Sequence, residues 1–282
     1  MKKKIEDLET PCLIVDKQKL DNNCAKILKR CKQLNVALRP HVKTPKSINI
    51  ARIALNNKVG PITVSTLQEA EYFASSGFKD ILYAVGIVPS KLKRIRKIKE
   101  KFNSDICIIL DSIDIAKAVV DYSMQNKVYY KILIEIDSGE GRGGIKPTDN
   151  KLLEISSIFN LCKYTSLLGV MTHAGHSYNT NNPIQLRKIA NIERDSVLLA
   201  SQNLENVGQS CSVISLGSTP TVIYASNLDG IIEVRCGVYM LWDLAQASKG
   251  ICKIDDIAIT VLASIIGHNY HNNKILVDAG AL

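Results

Sequence analysis

The sequence has no Cys-x-x-Cys pair, no apolar run long enough to cross a membrane, no low-complexity tract and no linker rich in Pro, Gly or Ser. Each absence removes a class. The eight cysteines (Cys12, Cys24, Cys31, Cys107, Cys162, Cys211, Cys236 and Cys252) are scattered, several within apolar strand or helix patterns. They read as reduced, buried thiols rather than a disulfide framework or a zinc cluster. Glu6, Asp7 and Glu9 interrupt the positive start MKKK, so no signal peptide is expected, and no membrane span. The cytoplasm is the implied compartment. With 282 residues, 46% of them hydrophobic and 22% charged, the chain can bury a full core and form one large domain, or one and a half.

What is present begins with a net charge of +9, densest in KLKRIRKIKEKF at residues 91–102. Leu92, Ile95 and Ile98 recur there on one helical face, which leaves the lysines and arginines on a solvated face. No nucleic-acid partner is implied; attraction of small anionic metabolites is a sufficient use for the excess charge.

Short β-rich apolar runs alternate with amphipathic segments. Strands are expected near Leu38–Lys43, Pro61–Ser65, Asp80–Ala84, Ile106–Asp111, Tyr130–Asp137, Ser166–His173, Cys211–Leu216 and Ile231–Met240. Helical patterns such as Leu67–Gly77, Ile113–Gln125 and Pro183–Asn203 lie between them. Eight strands in this alternation predict an α/β fold of the (β/α)8 TIM barrel type rather than an open doubly wound sheet. A strand at Cys12–Asp16 and a helix at Lys17–Leu34 precede the barrel. After it, Ile257–Ile266 and Lys274–Val277 are β-rich around the turn HNYHNN, where His268 and His271 are expected at the surface. The expected organisation is an N-terminal segment (1–15) associated with a β-domain, the barrel (16–245), and an incomplete C-terminal all-β domain (246–282).

A barrel keeps its chemistry at the C-terminal ends of its strands. Unusual polar groups fall there: His41-Val42-Lys43-Thr44, SGEGRGG (138–144), THAGHSY (172–178), GSTPT (217–221) and EVRCGVY (233–239). A lysine at Lys43 that points into the mouth, near other cations, would have a lowered pKa and suit Schiff-base chemistry; a solvated strand-end lysine is the plain alternative. Gly217, Ser218 and Thr219 form a strand-to-helix turn suited to a phosphate, and Gly237 would let an anion approach the backbone, although a simple N-cap explains the turn equally well. An aldehyde-bearing phosphate such as pyridoxal phosphate would satisfy both ends. GEGRGG matches a dinucleotide fingerprint only formally, because Pro147 follows in place of a helix start; it reads better as a loop presenting Arg142. His173 suits an aromatic cofactor's face, with His176 and Tyr178 further out toward substrate, and His-Ala-Gly-His makes a poor metal pair.

Together, LETPCLIVD (8–16), RPHVKTPK (39–46), EIDSGEGRGGIKP (135–147), THAGHSY, SLGSTPT (215–221), EVRCGVYMLWD (233–243) and VDAGAL (277–282) resemble fold-type III pyridoxal-phosphate enzymes. Within that group, with its alanine racemase N-terminal-like barrel, they are most similar to the D-threonine aldolase and D-serine dehydratase-like family. The resemblance implies Lys43 as the Schiff-base lysine, His173 against the pyridine ring and Arg142 near the phenolic oxygen. It also implies Gly217, Ser218, Thr219, Gly237 and Val238 around the phosphate, and Arg235 at the pyridine nitrogen. Pro45 stands where the family commonly has histidine.

The implied reaction is that of a lyase on D-β-hydroxy amino acids, with D-threonine aldolase-like cleavage to glycine and an aldehyde slightly preferred. D-serine dehydratase-like ammonia elimination, amino-acid racemisation and non-catalytic cofactor carriage are the alternatives. The resemblance also implies a divalent metal, Zn or Mn, held by a histidine paired with cysteine or aspartate in the C-terminal β-domain. No metal ligands are assigned in this sequence, so a fragment or a shortened member with little turnover is expected. A homodimer is expected if the β-domain is complete.

Overall fold

The computed structural model describes residues 4–280, so the first three residues of MKKK and the last two of VDAGAL lie outside it. The strands are β1 (Cys12–Val15), β2 (Ala37–Leu38), β3 (Ile62–Val64), β4 (Asp80–Gly86), β5 (Asp105–Leu110), β6 (Tyr130–Ile136), β7 (Thr165–Thr172), β8 (Val213–Leu216), β9 (Glu233–Val234), β10 (Ile259–Leu262), β11 (Ile265–Asn269) and β12 (Lys274–Val277). The helices are α1 (Lys17–Gln33), α2 (Ile48–Ala54), α3 (Leu67–Ser75), α4 (Pro89–Phe102), α5 (Ile113–Asn126), α6 (Lys151–Asn160), α7 (Pro183–Glu205), α8 (Thr219–Tyr224) and α9 (Leu244–Ser248). Side-chain caps start several of them where a turn residue precedes an apolar period. Asp16 accepts from Lys19 N, Thr66 from Glu69 N and Asn182 from Ile184 N.

β2 through β9 form one parallel sheet in the order β2-β9-β8-β7-β6-β5-β4-β3. The two ends of that order meet at a single parallel bridge between His41 and Thr63. Val42 N donates to Thr63 O and Thr63 N to Pro40 O, both at 2.9 Å, and these bonds curl the sheet into a barrel. Helices cover the outside, burying Phe73, Ile95, Val119, Leu152 and Val197 against the strands. The interior holds a second cluster, Leu82, Cys107, Ile109, Leu133 and Met171. On α4, Leu92, Ile95 and Ile98 are buried as the 3.6-residue period requires.

Two barrel strands are shorter than expected. β2 stops at Leu38 instead of reaching Lys43, because Pro40 has no N–H for a ladder and the chain leaves the sheet in turns after the His41 bridge. β9 is two residues long instead of ten. Its pairing persists only through isolated bonds, Arg235 N to Leu216 O and His41 N to Cys236 O, before the chain winds into a 3-10 turn at Val238–Met240. Outside the barrel, β1 pairs antiparallel with β10, and β11 with β12 as a hairpin. His268 lies within β11 rather than in the turn, and both it and His271 are exposed. All eight cysteines are free, five of them buried.

Candidate active site

A cavity of about 350 Å³ opens at the C-terminal end of the barrel. Lys43, Arg142, His173, Gly217 and Arg235 line it, joined by His41, Ser65, Asp111, Glu135 and Met171. Lys43 projects from the turn that follows β2. The residue is exposed at the mouth, yet partial desolvation against the cavity wall lowers its pKa and the Arg142 guanidinium adds to the effect, with the Glu69 and Glu140 carboxylates opposing. A larger share of uncharged amine is the state a carbonyl carbon requires.

The two cavity histidines are neutral for the same main reason. His41 is pushed well below the ordinary histidine range by burial, then by Lys43, Arg235 and His173. Its ring lies 3.5 Å from Lys43 N through Nδ1 and 3.4 Å from Ser65 Oγ through Nε2. For His173, burial and the two arginines outweigh its hydrogen bond and lower the pKa to about 4. Its Nδ1 stands 2.8 Å from the Gly217 carbonyl oxygen.

Arg235 is 4% exposed and forms the back of the cavity. Its guanidinium donates to Ser215 Oγ and to the Thr172 carbonyl, which fixes its orientation. Asp111, just after β5, accepts from Gly144 N at 2.8 Å. Glu135, on β6, has its pKa raised by burial and then by the Asp111 charge, while Arg142 pulls the other way.

The glycine-rich segment 138–144 is folded back on its own strand. Gly139 N and Gly141 N donate to Asp137 Oδ1, and Glu140 accepts from Gly175 N at 3.0 Å. Gly144 has φ +94°, and an added Cβ would lie 2.6 Å from Asp137 N, so glycine is required there. The loop presents Arg142, 62% exposed, and leads through Pro147 to α6 at Lys151. It does not open a helix as a dinucleotide loop does.

Ser218 caps α8, bonding Thr221 within the cap and Ser177 Oγ across to the β7 loop. Thr219 N donates to Tyr178 Oη, and the buried Thr219 Oγ1 has no partner among the described residues. Ser218, Thr219, Gly237 and Val238 stand beside the cavity rather than in its wall. Tyr178 is drawn to this corner by its bond from Thr219 N, and its ring centroid lies 6.4 Å from that of His173. His176 sits in the 3-10 turn Gly175–Asn179 with a buried, unpartnered Nδ1, also outside the cavity wall. Among the described residues no group of three or more His, Cys, Asp or Glu side chains is placed to hold a metal ion. Among the described residues no helix is long and apolar enough to cross a membrane.

The model of the alanine racemase N-terminal domain matches residues 15–244. The chain belongs to that family. Within it, the chain is 38% identical to a D-threo-3-hydroxyaspartate dehydratase from Delftia sp., over 97% of this chain and 72% of that one. The solved structure of that relative superposes with a TM-score of 0.93. A D-serine dehydratase from Dictyostelium discoideum is 34% identical over 99% of this chain and 74% of its own length. An alanine racemase-like protein from Idiomarina loihiensis is 42% identical, with a TM-score of 0.91 over 98% of this chain and 73% of that one. These alanine racemase N-terminal relatives include dehydratases and aldolases, both lyases, and the chain is an enzyme of that fold-type III pyridoxal-phosphate group.

Five of the expected residues therefore meet in one cavity, and six (Ser218, Thr219, Gly237, Val238, His176 and Tyr178) surround it. Asp111 and Glu135 have no role in the sequence reading, and His41 stands there only as a member of the strand-end group beside Lys43. The sequence did hold signals for them: a carboxylate inside the apolar run YKILIEI, an aspartate at the end of a barrel strand, and a histidine two residues before Lys43.

Proposed function

We propose that this cavity binds pyridoxal phosphate through Lys43 and that the protein is a lyase acting on D-β-hydroxy amino acids, with elimination of water as its reaction. The observation that carries the reading is the placement of Lys43, which lines one cavity with Arg142, Arg235 and His173. The donor set fits the cofactor. Two guanidinium groups balance anionic oxygens, and the orphaned Thr219 hydroxyl at the α8 corner offers an unused donor to a phosphate that Gly217, Ser218, Gly237 and Val238 would also surround.

When bound, the cofactor supplies the electron sink that makes the substrate Cα–H acidic. Lys43 Nζ carries it and, with substrate present, takes the Cα proton. Arg142 would neutralise charge on the open side, and His173 and Arg235 would hold the cofactor from the inner wall. The enclosed wall at Met171 and His173 keeps water from that side.

Dehydration is preferred over the aldol cleavage first expected because the relatives above 30% identity named here by activity are dehydratases. Aldol cleavage is the second reading, favoured by a 3-hydroxy-D-aspartate aldolase from Paracoccus denitrificans, 25% identical over 97% of this chain. A solved variant of a D-threo-3-hydroxyaspartate dehydratase is described as a metal-free form, but the described residues here bring no ligand group together, so no step is routed through a metal. A cytoplasmic setting is proposed on the eight free thiols.

The test is borohydride reduction of the cofactor-treated protein, followed by peptide mapping. Label on Lys43, lost in Lys43→Ala, supports the reading, and label on another lysine overturns it. Release of keto acid and ammonia, rather than glycine, from D-serine and D-threo-3-hydroxyaspartate with and without Mn²⁺ or Zn²⁺ separates dehydration from cleavage.

A further inference from the structure

Glu193, on α7, is 0% exposed and lies outside the cavity wall. A carboxyl group without contact with solvent is costly unless its oxygens are used. One of them is used twice. Oε1 accepts from Ala174 N at 2.8 Å and from Gly217 N at 3.2 Å, while Oε2 has no partner among the described residues. The two donors belong to different strand ends: Ala174 follows His173 after β7, and Gly217 follows β8.

His173 bonds back across the same gap, through Nδ1 to the Gly217 carbonyl at 2.8 Å. A carbonyl only accepts, so Nδ1 must carry the hydrogen and Nε2 must hold the lone pair. Gly217 can be placed so only because it is glycine, with φ +134° and the Arg235 backbone 2.9 Å from where a Cβ would stand.

We infer that Glu193 is a positioning residue that clamps the ends of β7 and β8 together, and thereby holds His173 as the Nδ1–H tautomer with the lone pair on Nε2. The clamp works through acceptor geometry: one oxygen fixes the spacing between Ala174 N and Gly217 N, and that spacing sets the reach from the His173 ring to the Gly217 carbonyl. Its value for the reaction rests on the proposed cofactor reading, but the tautomer does not.

Burial raises the Glu193 pKa, with the hydrogen bonds from the Ala174 and Gly217 amides among the opposing causes. A glutamine keeps the doubly accepting oxygen and needs no charge, so it should replace Glu193 in this role where alanine cannot.

The experiment reads the tautomer directly, by long-range ¹H–¹⁵N correlation of the imidazole rings in the full chain without added cofactor, His173 being assigned by its loss in His173→Gln. The wild type and Glu193→Gln should show His173 as Nδ1–H, and Glu193→Ala should show its signals moved toward the Nε2–H pattern. Circular dichroism checks each fold. Should Glu193→Ala fail to fold, Glu193→Asp, which withdraws the acceptor by one methylene, takes its place. A wild-type His173 found as Nε2–H, or an unchanged tautomer in a folded alanine or aspartate variant, overturns the inference.

Titration with pyridoxal phosphate then separates this result from the cofactor reading. If the wild type binds, affinity should fall about tenfold in Glu193→Ala and return in Glu193→Gln, as when a hydrogen bond that orients a binding group is removed. If no protein binds, the cofactor reading fails while the tautomer result stands.

Discussion

Gly237 has no room for a methyl group, because an added Cβ would run into the His41 carbonyl oxygen. Its sequence reading, close approach of an anion, thus has a second physical cause: the backbone of the first barrel strand passes against the last. Gly237→Ala should lower stability by roughly 1–3 kcal/mol, as overpacking does. Gly86→Ala, where nothing lies within 4 Å, should stay within about 0.5 kcal/mol. Urea denaturation of both variants checks this, and equal stabilities would mean the chain relaxes at no cost. His173 supplies a prediction in pH. Its folded pKa of about 4 lies below the ordinary 6.5, so the unfolded chain binds the proton more readily. The stability it contributes is fully present above about pH 6.5 and is lost as pH falls toward about 4. His41 adds in the same direction. The urea midpoint should therefore drop less between these values in His173→Gln than in the wild type.

At the scale of elements, α4 shows what a period can reveal. Its apolar positions were legible because Leu92, Ile95 and Ile98 repeat with the helix, whatever the cations between them. Ile95→Ala should cost about 2–5 kcal/mol, and Lys97→Gln, on the exposed face, about 0.5 kcal/mol or less. Thermal melts should separate the two clearly. β2 and β9 were over-read for the opposite reason. Apolar residues run on after β9 to Met240, but after β2 only Val42 continues the pattern, and Pro40 and the bend at Gly237 end the pairing. Asp111 and Glu135 are not legible as cavity residues in the sequence, because a lone carboxylate does not announce which face of a strand it occupies. Only closure of the ring turns Glu135 inward, whereas the glycine at 144, needed for a positive φ, was visible as part of a motif.

For the whole molecule, the +9 charge and the exposed Arg142 at the mouth, with Arg235 buried behind it, predict electrostatic capture of an anionic ligand. Association of pyridoxal phosphate should slow as ionic strength rises from about 0.01 to about 0.15 M, where the Debye length falls from about 30 to about 8 Å. A rate indifferent to salt in stopped-flow absorbance would show that the surface charge does not act at the mouth. The closure of the barrel at His41 and Thr63 has a different consequence, kinetic and not energetic. Every other junction in the ring is sewn by at least two residue pairs, and this one by a single stitch. Breathing of the ring should begin there, so the Val42 and Thr63 amides should exchange with deuterium ahead of the β6–β7 ladder. A ligand held at once by Lys43 and against Ser65 bridges that seam from outside, and its arrival should be felt first as slowed exchange at those two amides.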